Sequence, residues 1–307
     1  MKLVTRALLA TAMCVWTFPL LARTLDVGQD HRFKLPSEAV AAARDGDTIE
    51  IYPGQYFDCA IVRQSNLIIQ GKGAGVVMTD TTCGGKAILV TAGNNITIRN
   101  LTLQRARGPY RNGAGIRAEG GDLTVENSRF LDNENGILSG STGNAVIRIL
   151  GSEFIGNGKC EESCAHGIYI NHIALLHVER SKFFDTHEGH HIKSRALRTE
   201  VINCILQDGP EGNSSYLIEV PNGGTLIVEG NTMEKGPRTE NNANAIMIGA
   251  EGVTNPTGAL IFKNNTFTNH QDRPTTFVHN LSATSAQLIG NVFKGEVRPL
   301  EGDGSVR

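Results

Sequence analysis

The sequence predicts an all-β solenoid in which one short phrase is repeated to the C-terminus and stacks coil upon coil. The phrase is two or three alternating apolar residues, then Asn or Gly, a small polar residue, a variable one and Phe. It reads LTVENSRF, IRILGSEF, LHVERSKF, LIVEGNTM, LIFKNNTF and AQLIGNVF. Its closing apolar residues, Leu103, Phe130, Phe154, Phe183, Leu206, Met233, Phe267 and Phe293, lie 23 to 34 residues apart, the length of one coil of a stacked repeat. Composition agrees: 35 Gly, many Val and Ile, and 6% aromatic residues suit short strands joined by turns rather than helices. No linker or low-complexity break interrupts the phrase, so residues 23–307 read as one elongated domain.

The first element is a targeting signal. Lys2 and Arg6 precede an apolar run from Ala7 to Ala22, broken by Pro19 and closing on Leu20-Leu21-Ala22, so residues 1–22 are expected to be a signal peptide removed on export. The run is too short for a comfortable membrane span, and nothing later stays apolar for 18 residues. The expected location is secreted or periplasmic. Without the leader, 27 basic residues against 31 acidic ones leave a formal charge of −4, which argues against non-specific nucleic-acid binding.

Five cysteines follow the leader, which fits an oxidising compartment. Cys59 and Cys83, 24 residues or one coil apart, are expected to face each other on neighbouring turns and form a disulfide. Cys160 and Cys164 share the loop GKCEESCAHG and are read as a small disulfide ring, with a redox or metal role as the alternative. Cys204 falls in the inward column Ser128, Ser152, Ser181, Cys204, Asn231, Asn265, Asn291, where a buried thiol and a hydrogen-bonded amide ladder are expected.

The segment LPSEAVAAARDGDTIEIYPGQY and the coil-length phrase together resemble the right-handed parallel β-helix proteins of the pectin-lyase-like superfold, across residues 23–307. The resemblance implies that a short amphipathic helix, about Ser37 to Arg44, covers the open end of the first coil. An uncovered sheet edge there would invite aggregation. The turn at Gly46-Asp47 then leads into a strand from Thr48 to Tyr52, and Pro53-Gly54 turns out of it. GHHIKSRA and YLIEVPNGG are similar to strings in exported bacterial β-helix proteins.

Each coil carries a further strand after its Phe: GIRAE, GILSG, GIYIN, HIKSR, LIEVP, AIMIG and TFVHN. With Ile116, Ile137, Ile168, Ile192, Ile218, Ile246 and Phe277 inward, alternation sends Arg117, Leu138, Tyr169, Lys193, Glu219, Met247 and Val278 outward as one ladder. A second outward ladder holds Glu119, Gly140, Asn171, Arg195, Pro221, Gly249 and Asn280. His166 and His190 stand just ahead of the strand. Six of the nine histidines lie between His166 and His191, so polar function concentrates in the middle coils.

Enzymes of the resembled superfold bind extended acidic polysaccharides along a sheet groove, which implies that class of partner here. β-Elimination or C5 epimerisation of a uronate needs a cation on the carboxylate, a base near C5 and an acid near the leaving oxygen or opposite face. Arg195 suits the first task. Lys193 suits the second if its pKa is lowered, while His190, His166 or Tyr169 exchange the other proton. Arg117, Asn171 and Glu219 complete a substrate-binding strip, and the reading calls for no cofactor and no metal. Hydrolysis needs two flanking carboxylates, and Glu219 and Glu119 fall several coils apart. The Asp-Pro-His-Asp string of mannuronan epimerases, the close outward aspartates of the pectate-lyase calcium site and the clustered aspartates of polygalacturonases are all missing.

The alternative is a non-catalytic glycan-binding or envelope structural β-helix. In that case Lys193 and Glu219 are a surface ion pair and Tyr169 covers apolar surface beside Leu138. His177, outward between Arg148 and Glu200, is read as solvated. The spacing of His187, His190 and His191 suggests zinc, but alternation sends the last two to opposite sides.

Overall fold

The computed structural model describes residues 21–307, so nearly all of the expected leader lies outside the described residues. Three parallel sheets of 12, 10 and 10 strands run along the stack, and each full coil contributes one strand to each. One coil, for example, runs through Leu123–Glu126, Arg129–Leu131 and Asn135–Ser139 before Val146–Leu150 begins the next.

The repeated phrase is the corner between the first two sheets. Its Asn or Gly takes the left-handed conformation, with φ of +58° at Asn100, +47° at Asn127, +58° at Gly151 and +53° at Asn203. Those are the residue types that tolerate that region. The next residue turns inward and bonds to its counterpart one coil on. The Ser128 N–H donates to Ser152 Oγ, Cys204 N–H to Asn231 Oδ1, and Asn231 N–H to Asn265 Oδ1. The closing apolar residues pair in unbroken register from Leu103 to Phe293. The Phe130, Phe154 and Phe183 rings stack nearly parallel with centroids 4.6 and 4.7 Å apart. Truncating one of them would remove contacts on both neighbours, which is why such positions are costly to shorten.

A helix does form near the start, at Pro36–Ala42, with Ala39 and Val40 buried in the same apolar cluster as Leu25 and Ile49. The first strand after it is Thr48–Ile51. Cys59 and Cys83 are joined across neighbouring coils, Cys160 and Cys164 close a small antiparallel hairpin, and Cys204 is a buried free thiol.

The corner before the third sheet departs from simple alternation, and this corrects the last rung of both outward ladders. Two consecutive residues point inward there. A Cβ on Gly115 would lie 2.7 Å from the Phe130 ring, so the Gly column packs against the Phe stack while the following Ile also faces the core. Phe277 belongs to that extra inward column. Val278 is inward as well, paired with Ile246, and His279 rather than Val278 continues the ladder after Met247. Asn280 likewise pairs with Ile248 and is buried, its amide donating to Thr284 and Asp303 carbonyls.

Candidate active site

The remaining rungs of the third sheet fall where alternation places them. Tyr169 pairs with Lys193 and Lys193 with Glu219 on the outward face, preceded by Arg117 and Leu138. The extra inward residue at the corner makes a second outward column of the residues before it. His166 and His190 stack with ring centroids 4.6 Å apart, and Tyr216 leans on His190 at 5.0 Å. Tyr169 meets His166 edge-on, and its ring lies 5.9 Å from Lys193 Nζ and 5.4 Å from Arg195 Cζ. The structure thus brings Tyr169, Lys193, Arg195, His166, His190 and Glu219 into one patch.

The imidazoles are fixed by the backbone of the next coil. The His190 N–H donates to His166 Nδ1, and the Tyr216 N–H donates to His190 Nδ1. A backbone N–H can only donate, so each ring carries its proton on Nε2. Burial lowers both pKa values, with the Lys193 and Arg195 charges adding to the effect at His166 and Glu219 opposing it at His190. Both rings are therefore neutral donors rather than free bases.

Glu219 is only 5% exposed, and its Oε2 lies 3.0 Å from His190 Nε2 and 2.9 Å from Lys193 Nζ. These are ion-pair distances without hydrogen-bond alignment, since the same oxygen lacks an aligned donor. Burial raises the Glu219 pKa, but His190 and Lys193 outweigh it and hold the carboxyl below its usual range. Lys193 shows the opposite balance. Burial alone would lower its pKa, yet Glu219 and Glu251 together push it above an ordinary lysine. The condition for Lys193 to act as base is thus not met, and the residue is a held cation.

Glu251 is a site residue that no strand periodicity points to. It sits on the loop after the Asn244–Ile248 strand, 58 residues from Lys193, and spans two cations with 2.9 Å from Oε1 to Lys193 Nζ and 2.7 Å from Oε2 to Arg195 Nη2. Tyr216, a loop aromatic, stands on an irregular segment outside the strand periodicity.

Arg117 and Asn171 lie on the strip but do not touch its centre. Arg117 Nε is 3.5 Å from Glu119 Oε1, and the Asn171 amide donates to the Ser139 carbonyl. Val90, Ala114 and Leu138 form an outer apolar patch against which Tyr169 packs. His187 lines a cleft with Arg107, Glu134 and Glu188 on another part of the molecule, whereas His191 points inward to Asp208. Among the described residues, no group of three or more His, Cys, Asp or Glu side chains is arranged to hold a metal ion. His177 is outward, with Nδ1 2.7 Å from Glu200 Oε2.

No known family pattern and no curated protein matches the chain. Solved structures do. An alginate lyase from a Paenibacillus species superposes with a TM-score of 0.62 at 16% identity, covering 92% of this chain and 99% of that one. A pectate lyase superposes with a TM-score of 0.56 at 13% identity, covering 92% and 77%. Identity this low speaks to fold alone. On that ground, and on the three-sheet stack described above, the chain has a right-handed parallel β-helix fold of the pectin-lyase-like kind.

Proposed function

We propose that this is an exported protein that acts on an acidic polysaccharide at the Tyr169–Lys193–Glu219 strip, by β-elimination or C5 epimerisation of uronate residues. One observation carries the reading: two cations, two neutral imidazoles and a phenol share one outward patch in the middle of the stack. The fold-level neighbours include two enzymes whose names are those of polysaccharide lyases. The expected leader and two disulfides support a secreted or periplasmic location. The Pro36–Ala42 helix, packed on the first coil, serves to cap the stack.

In this reading Lys193 and Arg195 neutralise the uronate carboxylate as negative charge develops on it. A proton leaves C5; its electron pair forms the C4–C5 double bond as the C4–O bond breaks, and the leaving oxygen takes up a proton. In epimerisation the proton returns to C5 from the other face. Tyr169 is the group positioned to exchange these protons, because its ring stands edge-on to His166 and lies 5.9 Å from Lys193 Nζ and 5.4 Å from Arg195 Cζ. The Nε2 protons of His166 and His190 supply donors beside it. Hydrolysis gains a carboxylate pair from Glu219 and Glu251, but a general acid needs a raised pKa, and Glu219 is held down.

Incubation with alginate and with polygalacturonate, following unsaturated-uronate absorbance and solvent-deuterium uptake at C5, tests the proposal. Lys193→Ala and Arg195→Ala should each lower turnover by about 10²–10³-fold, the scale for removing one electrostatic stabiliser. Parent protein that alters no acidic glycan by either measure gives the ground to a non-catalytic glycan-binding β-helix. The apolar patch beneath Tyr169 suits that second reading.

A further inference from the structure

We infer that the gap between Lys193 and Arg195 is a carboxylate-binding subsite, and that Glu251 is its resident stand-in, which a substrate carboxylate must displace. The inference rests on the acidic-polysaccharide reading for the identity of its ligand and on geometry for the subsite itself.

The two carboxylates that meet Lys193 are not equivalent. Glu219 belongs to the strand next to Lys193 in the sheet, is 5% exposed and also contacts His190. It is a fixed part of the wall. Glu251 comes from a turn outside the sheet, is 43% exposed and, among the described residues, has its carboxylate paired only with the two cations. Its two oxygens divide between Nζ and Nη2, one to each, which is how a bound carboxylate of any origin would bridge the pair. Among the described residues Arg195 Nη1 is buried without a partner, so the guanidinium has a further donor that Glu251 leaves unused.

The backbone around Glu251 is tied down. Its N–H donates to the Pro221 carbonyl, Thr254 and Asn255 N–H groups donate to the Asn222 carbonyl, and the Asn255 amide donates to the Arg195 carbonyl. What moves is therefore the Glu251 side chain, swinging into the solvent it already half faces, rather than the loop. A tethered carboxylate competes at an effective concentration on the order of millimolar, so it rejects dilute free anions yet yields to a polymer that engages several subsites together. Along the same strip, Arg117 and the apolar patch under Tyr169 offer such additional contacts.

Glu251→Ala, a change on an exposed turn, empties the subsite. Two measurements follow. In calorimetric titration with trigalacturonate, Glu251→Ala should bind about tenfold tighter than the parent, as expected when the competent state rises from about a tenth of molecules to nearly all. Equal or weaker binding overturns the inference. In crystals of Glu251→Ala grown with sodium acetate, an acetate should bridge Lys193 Nζ and Arg195 Nη2. Cations collapsed onto other partners, with no anion between them, overturn it too. If neither protein binds trigalacturonate, the polysaccharide reading loses its support, while the acetate experiment still decides whether the subsite exists.

Discussion

Consecutive histidines on opposite sides of one sheet wall anchor two similar triads with different surroundings. Outside, His190 and Lys193 share Glu219. Inside, His191 Nε2 lies 3.1 Å from Asp208 Oδ1, and Lys235 Nζ lies 3.8 Å from Asp208 Oδ2, all three side chains fully buried. Burial dominates the inner lysine and lowers its pKa to about 8, whereas carboxylates dominate the outer one and raise it. The same three kinds of group, imidazole, ammonium and carboxylate, make a sealed strut on one side and an approachable site on the other, and access separates them more than composition does. The strut also serves the site. Lys235 donates to the Ser214 and Ser215 carbonyls at 3.0 and 2.6 Å, fixing the backbone that delivers the Tyr216 N–H to His190.

Matched substitutions test this contrast. Asp208→Asn strands Lys235 in the interior and should cost about 3–5 kcal/mol at neutral pH in denaturant unfolding. Glu219→Gln leaves Lys193 paired with Glu251 near solvent and should cost about 1 kcal/mol. Equal costs would erase the distinction. The Asp208→Asn penalty should also shrink as pH rises, because a lysine whose folded pKa is depressed opposes folding below its unfolded pKa and ceases to do so once both states are neutral.

A smaller effect sharpens the comparison at acid pH. Asp208 has its pKa lowered to about 2: burial alone would raise it, but Lys235, His191 and Ser214 outweigh that. A depressed carboxyl contributes stability above its unfolded pKa and loses it as pH falls through the folded one. About 2 kcal/mol should therefore disappear between the ordinary carboxylate range and about pH 2. Asp208→Asn should lack this component; an unchanged acid slope would mean other carboxyls carry it. Smallest of all, His177→Ala, which breaks an outward pair on a different sheet, should cost under about 1 kcal/mol and leave glycan turnover unchanged. A loss of turnover there would extend the site beyond the third sheet.

The stack was legible because the phrase couples a left-handed Asn or Gly to an inward polar residue and a core Phe at fixed offsets, a pattern that only register can satisfy. The outward order Tyr169, Lys193, Glu219 followed from period-two alternation alone. Alternation failed at TFVHN because Phe277 and Val278 both face inward, at a corner position that Gly115, Gly136 and Gly167 fill in earlier coils and that a bulky residue disguises in this one. Glu251 escaped for another reason: its cations lie 56 and 58 residues away in sequence, and no spacing rule links a turn to a strand on a different coil. The role first suggested for Lys193 required a lowered pKa, and its second carboxylate came from just such a turn.

The parallel stacking has a consequence for where the molecule opens. Each coil is held chiefly by the one before and the one after, so unzipping starts at the two ends and travels inward. The strand that bears Lys193 has five strands of its sheet on the N-terminal side and four on the C-terminal side. Fraying of terminal coils reaches it last, and its amides should be among the slowest to exchange with solvent. The outward patch around Lys193 is thus placed where thermal breathing is weakest.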